Sequence, residues 1–259
     1  AIKYLERMDF FRYAFESFRI QPEELRPSER YRRRSHSDVL LEITKIEKSD
    51  DIHYIVGKVK DRADMILKRH LHYDDRAVKG FIVALSEVCQ NIIEHSGSRG
   101  FVGIQKYHFQ NLGKNIVKIA VSDTGIGFRG SLSQRFRLRD DLEAIEKALI
   151  HGASRYSDEG RGHGLPAVRR FVMEWNGKLS IRSGTARLSI IPDWARGGKV
   201  LRAQKSYTAM TLRNRTRWLL QRAERGLVFF PGSQISIMLP EISGELQGNS
   251  QESNPLSLT

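Results

Sequence analysis

The stretch Ser86-Glu-Val-Cys-Gln-Asn-Ile-Ile-Glu-His-Ser96 constrains this chain more than any other. It ends a run, beginning near Arg76, in which Val78, Phe81, Ile82, Leu85, Val88, Cys89, Ile92 and Ile93 recur at the helical period and make one apolar stripe. A solvated opposite face is ordinarily filled with Lys and Glu, yet here it carries Gly80, Val83, Ala84, Glu87 and Asn91. Small residues beside a Glu and an Asn one turn apart describe a helix lying under a ligand, with both polar tips on one side. A carboxylate and an amide oxygen so placed can hold Mg²⁺ or a water. Taken alone, the stretch reads equally well as a surface helix with some small residues.

Two glycine motifs decide between these readings. Ile116 to Ser122 reads as a buried strand running into Asp123-Thr-Gly-Ile-Gly-Phe128, and Gly160-Arg-Gly-His-Gly-Leu165 opens another helical pattern. A lone DxGxG or GxGxG is weak. The ordered set is strong: a helix with ExxxN, a strand with DxGxG, an intervening segment, then GxGxGL into a helix. With that set the chain resembles the GHKL superfamily, the ATP-binding domains of gyrase, Hsp90, histidine kinases and MutL-type proteins. The resemblance covers about residues 39–191 and the last strand near 233–239.

The resemblance implies a site for ATP and Mg²⁺. Asp123 would accept the adenine amino hydrogen, a choice against guanine, which presents a carbonyl there. As a local feature Asp123 is also a strand-end turn cap. Gly125 and Gly127 let the backbone approach the purine, and Gly160, Gly162 and Gly164 do the same at the phosphates. The N–H groups of Gly164 and Leu165 open a helix, whose N-terminus favours polyphosphate. Asn91 resembles the Mg²⁺-binding asparagine of the family's N box. Glu87 takes the place of its glutamate, the general base for water in ATPase branches and an orienting group for metal or substrate in kinases. His95 is the candidate basic side chain near the phosphates, or equally a helix-end cap. The family's closing Gly-Thr pair is Gly232-Ser233 here, so the hydroxyl survives.

Element order points to the same fold. Strand Val39–Glu47, helix about Ile55–Arg69, the Glu87 helix, strands Phe101–Phe109 and Ile116–Ser122, then helices and a hairpin around Ser183-Gly184 give an α+β, two-layer α/β sandwich. Helices are expected on one face of a mixed, mostly antiparallel sheet, the Bergerat-type fold that the resemblance implies. Residues 1–36 are expected to be a helix and basic linker, with the features of a docking or dimerisation helix or of the end of an upstream domain. The ATP-binding domain is placed at 37–242, with an ATP lid at about 128–163 and a basic insertion at 192–230 containing a helix over Leu212–Arg225. Residues 243–259 are polar and expected to be disordered.

Composition narrows the class. A hydrophobic content of 40% with 28% charged residues suits a globular protein, with no apolar run long enough for a membrane span. No signal-peptide layout is present, so a cytoplasmic setting is expected. The lone Cys89 lies on the apolar stripe as core filler. The net charge of +13 fits a polyphosphate ligand or an acidic protein partner. Without interleaved aromatic residues it gives little reason to expect nucleic acid. Expected partners are ATP, a protein bound through the N-terminal helix or the 192–230 insertion, and a second copy of the chain. Two activities remain open: a protein kinase of the anti-sigma serine/threonine type, and an ATPase or ATP-gated switch. A nucleic-acid-binding protein with a degenerate nucleotide site is the weakest reading, since Glu87, Asn91, Asp123 and both glycine motifs are intact. No phosphoacceptor-helix pattern precedes residue 70, which argues against a complete sensor kinase.

Overall fold

The computed structural model describes Leu5 and residues 8–17, 39–150, 164–195, 207–214 and 217–242. Eight strands form one sheet: β1 Val39–Ile46, β2 Gly100–Phe109, β3 Lys114–Asp123, β4 Lys178–Gly184, β5 Ala186–Pro192, β6 Tyr207–Asn214, β7 Arg217–Glu224 and β8 Phe230–Pro240. Their spatial order is β1-β2-β3-β8-β4-β5-β7-β6. Expected to be mixed and mostly antiparallel, the sheet has seven antiparallel pairings and none parallel among the described residues.

Helices pack on the inner face. Helix α1 (Phe10–Ser17) stands apart from α2 (Ser49–Ala63), α3 (Asp75–Asn91), α4 (Gly127–Leu132), α5 (Asp141–Ala148) and α6 (Gly164–Glu174). Alternation along the strands selects the inner side chains: Val117, Ile119 and Val121 of β3, Leu179 and Ile181 of β4, and Ile235, Ile237 and Leu239 of β8 all join one core with Phe81, Leu85 and Val88 of α3. Cys89 belongs to that core, where burial pushes its thiol up to about 12. The α3 helix starts where Asp74 caps it, its carboxylate accepting from the Ala77 N–H at 2.7 Å. Tyr73 closes the other end of the domain: its buried hydroxyl donates to the Pro240 carbonyl at 2.8 Å.

Three expectations change. Helix α1 lies on the opposite face of the sheet, so the helices do not share one side. Met8 and Tyr13 reach Gly103 and Phe101, the β2 residues that alternate with core-facing Val102 and Ile104. The helix expected over Leu212–Arg225 is instead the hairpin β6–β7. Its sequence is rich in Leu, Gln, Arg and Ala, but β5 offers an unpaired edge, and the ladder from Arg187↔Glu224 to Pro192↔Leu219 satisfies it. Part of the 192–230 segment therefore extends the sheet. The last strand, β8, runs centrally between β3 and β4 and so lies beside the Ser183-Gly184 hairpin. Finally, the first half of the 128–163 segment is packed: Leu132, Leu142 and Ile145 of α4 and α5 enter the core. Residues 151–163, 18–38 and 243–259, with the remaining lid, linker and tail expectations, lie outside the described residues. Among the described residues no helix is long and apolar enough to cross a membrane.

Candidate functional site

Asp123 ends β3 buried, at 4% exposure, although it is a carboxylate. Both of its oxygens are engaged. Oδ1 accepts from the Gly125 N–H at 2.9 Å, and Oδ2 accepts from the Ser233 hydroxyl at 2.5 Å. Gly232, at φ +73°, lies directly on Asp123, where any Cβ would strike the aspartate's backbone and Oδ1. On the other side, Gly125 is pressed against the backbone of Ser96, and the Ile126 N–H donates to the Ser96 carbonyl at 2.9 Å. The glycine turn is thus stitched between the end of the α3 segment and the start of β8.

Ser183 is a member of this cluster that the sequence did not disclose as one. Buried at the end of β4, it donates to the Gly232 carbonyl at 2.8 Å and accepts from the Phe128 N–H at 3.2 Å. Gly127 packs on its hydroxyl. Its place beside Gly184 suggests only a hairpin turn, yet Leu179, Ile181 and Ser183 follow one another at period two, so the strand alternation carries the signal. Asp141 is another: its carboxylate accepts from the Thr185 N–H and hydroxyl at 2.8 and 2.9 Å, tying α5 to the β4–β5 turn.

A second cluster lies further up α3. Glu87 and Asn91 are one turn apart, and the Asn91 amide nitrogen donates to the Glu87 carbonyl at 2.8 Å. The amide oxygen is therefore the end of Asn91 presented to a ligand. The Glu87 carboxylate abuts the α-carbon of Gly164, so closely that a Cβ there would overlap Oε2. Gly164 and the buried Leu165 begin α6, so the carboxylate sits at that helix's N-terminus. Burial first, then repulsion from Glu94, raises the Glu87 pKa above the ordinary glutamate value. Glu87 also ends a groove of about 280 Å³ between α3 and α6, lined by Val83, Ala84, Ala167 and Phe171.

His95 faces protein groups. Its Nδ1 is 3.3 Å from the Ser131 hydroxyl of α4 and its Nε2 is 3.8 Å from Glu94. It joins the π-helical turn Ile92–Ser96, which continues α3, to the first helix of the 128–163 segment. Gly160 and Gly162 lie outside the described residues.

Residues 78–203 match the family of Histidine kinase-, DNA gyrase B-, and HSP90-like ATPases. A GHKL-superfamily ATPase domain is present at residues 78–203. A comparison with curated proteins gave no match. The matched span of this GHKL domain includes the Glu87 helix, the Asp123 turn and the Gly160–Gly164 motif, and it stops before β8. Ser233 therefore joins the domain through the fold alone, by lying between β3 and β4.

The donor set fits the groups that a GHKL domain implies. Asn91 and Glu87 offer oxygen ligands suited to Mg²⁺. Among the described residues no cluster of three or more His, Cys, Asp or Glu could hold a metal alone. Mg²⁺ needs no such cage, since one or two protein oxygens complete a shell of phosphate oxygens and water.

Proposed function

We propose that the protein binds Mg-ATP and transfers the γ-phosphate to a hydroxyl of a partner protein, in the manner of the anti-sigma serine/threonine kinases. Asp123, held by Ser233 and Gly125, receives the adenine amino group. Asn91 would hold Mg²⁺, which when bound would neutralise charge on the phosphates, and Glu87 is left free to act as the base. Gly164 and Leu165 present backbone N–H groups to those phosphates.

The observation that carries the kinase reading is the position of Glu87, where the α3–α6 groove meets the start of α6. An acceptor segment in that groove brings its hydroxyl to the carboxylate. The acceptor oxygen bonds to the γ-phosphorus, its proton passes to Glu87, and the bond to the β–γ bridging oxygen breaks as ADP leaves. A half-buried glutamate of raised pKa suits that proton better than a solvated one.

A second reading, an ATP-gated switch, draws on the His95–Ser131 contact. It ties the ligand-facing helix to α4, so nucleotide at Asn91 would bias the segment beyond. Following the γ-phosphate of labelled ATP with a lysate of the host separates the two. Label on a protein band, lost in Glu87→Ala, supports the kinase. Free phosphate alone, lost in the same variant, replaces it with an ATPase cycle. Bound ATP with neither product leaves the switch.

A further inference from the structure

The charge of +13 is not absorbed by the nucleotide site, and sheet register shows where part of it gathers. Residues alternating with the core-facing side chains point outward. On β3 this is Lys118, on β4 Lys178 and Arg182, on β5 Arg187, and on β7 Arg222. Lys118 and Lys178 flank Met238 in one cross-strand row, and Arg182 lies directly opposite Arg187. Glu224 is the acid among them, at 3.5 Å from Arg187 and 2.8 Å from Arg222. Five bases thus face one acid among the described residues of these strands.

Such an arrangement costs stability. Like charges directly opposite in a sheet repel. The Lys178 pKa is lowered, by burial first and then by Lys118, Arg187 and Arg222. Arg182 is held in place by the Val228 carbonyl at 2.8 Å and by the Phe230 ring at 5.4 Å. Among the described residues no α-helix covers this part of the outer face, since α1 lies over β1 and β2.

We propose that the outer face of β3, β8, β4, β5 and β7 binds a nucleic-acid backbone without reading its sequence. Between the cations lie Ala120, Ser180 and Ser236, short half-buried side chains that let a phosphodiester approach, the two serines offering hydroxyl donors. The hydroxyl of buried Ser189 lies 3.0 Å from that of Ser180 and orients it. A protein partner needs a broad apolar anchor at the centre of its interface, whereas here Met238 lies between two lysines and the neighbouring row is Ala120, Ser236 and Ser180. A membrane is planar, whereas a sheet of this size is twisted into a saddle. Few aromatic rings stand on the face to stack bases, so recognition is electrostatic.

The test is fluorescence anisotropy of the full chain with labelled random-sequence DNA, single-stranded and duplex, at low and rising salt. Binding is expected with a log–log salt slope of about −3 to −4, for about four phosphates neutralised. The double variant Lys118→Glu/Lys178→Glu should bind at least about 10-fold more weakly. Lys118→Gln/Lys178→Gln should weaken binding several-fold with a Tm no lower than that of the wild type, since it also relieves the repulsion, which separates the effect from misfolding. Lys60→Glu/Lys79→Glu, on exposed residues of α2 and α3, should leave binding unchanged. The proposal is overturned by absent binding at low salt, or by equal losses in the α2/α3 variant. Tighter capture by phosphatidylserine vesicles or polyglutamate, which would assign the face to a membrane or an acidic protein, also overturns it.

Discussion

The Ser233 hydroxyl donates to Asp123 Oδ2 at 2.5 Å, across more than a hundred residues of sequence. With the Gly125 N–H on Oδ1, it fixes the rotamer of the aspartate expected to receive adenine. Removing one hydrogen bond to a charged group costs about 1.5–3 kcal/mol where the group stays buried. Ser233→Ala is therefore expected to weaken ATP binding by about 10-fold or more, and Ser233→Thr to leave it near the wild-type value. Calorimetric titration of both variants checks this, and unchanged affinity in Ser233→Ala would remove the serine from the site.

Glu87 sets the acid limb of activity. A general base works only when deprotonated, and burial together with Glu94 raises the pKa of Glu87. Phosphoryl transfer should thus fail, as pH falls, above the ordinary glutamate value of 4.5. Glu94→Gln removes the repulsion, so its acid limb should move to lower pH. A limb that stays in place would mean that another group limits the rate.

Burial of Glu87 also bears on stability. A carboxylate whose folded pKa is raised makes its charged form a cost to the folded state at pH above that pKa. Below the unfolded pKa both states are neutral and the cost vanishes. Glu87→Gln should raise the Tm at pH 7, with the gain disappearing as the pH falls below the ordinary glutamate value of 4.5. A lower Tm at pH 7 would show that the charge is stabilised in place.

Val83 is 54% exposed on the α3–α6 groove, so a larger side chain there blocks the groove without entering the core. Val83→Arg is expected to raise the KM for the protein acceptor about 10-fold, as burial of a small apolar side chain is worth about 1.5 kcal/mol. ATP affinity should not change. Equal transfer to the acceptor in this variant would place the acceptor elsewhere.

Tyr73 serves as a structural contrast. Its phenol is buried, and Tyr73→Phe leaves the Pro240 carbonyl without its partner. The expected loss is about 1–3 kcal/mol of stability with unchanged ATP binding. Denaturant unfolding measures the first and titration the second.

The parts of the fold legible in the sequence are those set by local periodicity. The stripe from Val78 to Ile93 and the apolar run before Asp123 lie in the core as their spacing predicts. The Asp123 turn can be placed because strand, aspartate and glycines are contiguous. Ser233 stands out in the sequence as a departure from a family pattern, but its contact with Asp123 depends on β8 inserting between β3 and β4, a long-range fact. The strand β7 is hidden because Leu219, Leu220, Gln221, Arg222 and Ala223 favour helix, and only the open edge of β5 overrides that preference. Likewise the basic face needs strands far apart in sequence to fall into register. No short window along the chain contains Lys118, Lys178 and Arg222 together.

The nucleotide site is best tested by isothermal titration of the full chain with Mg-ATP and Mg-GTP, for wild type and Asp123→Ala. The wild type is expected to bind Mg-ATP in preference to Mg-GTP, and Asp123→Ala to lose ATP while keeping a wild-type fold by circular dichroism. Equal ATP affinity in the folded Asp123→Ala variant would contradict the assignment of Asp123 to adenine.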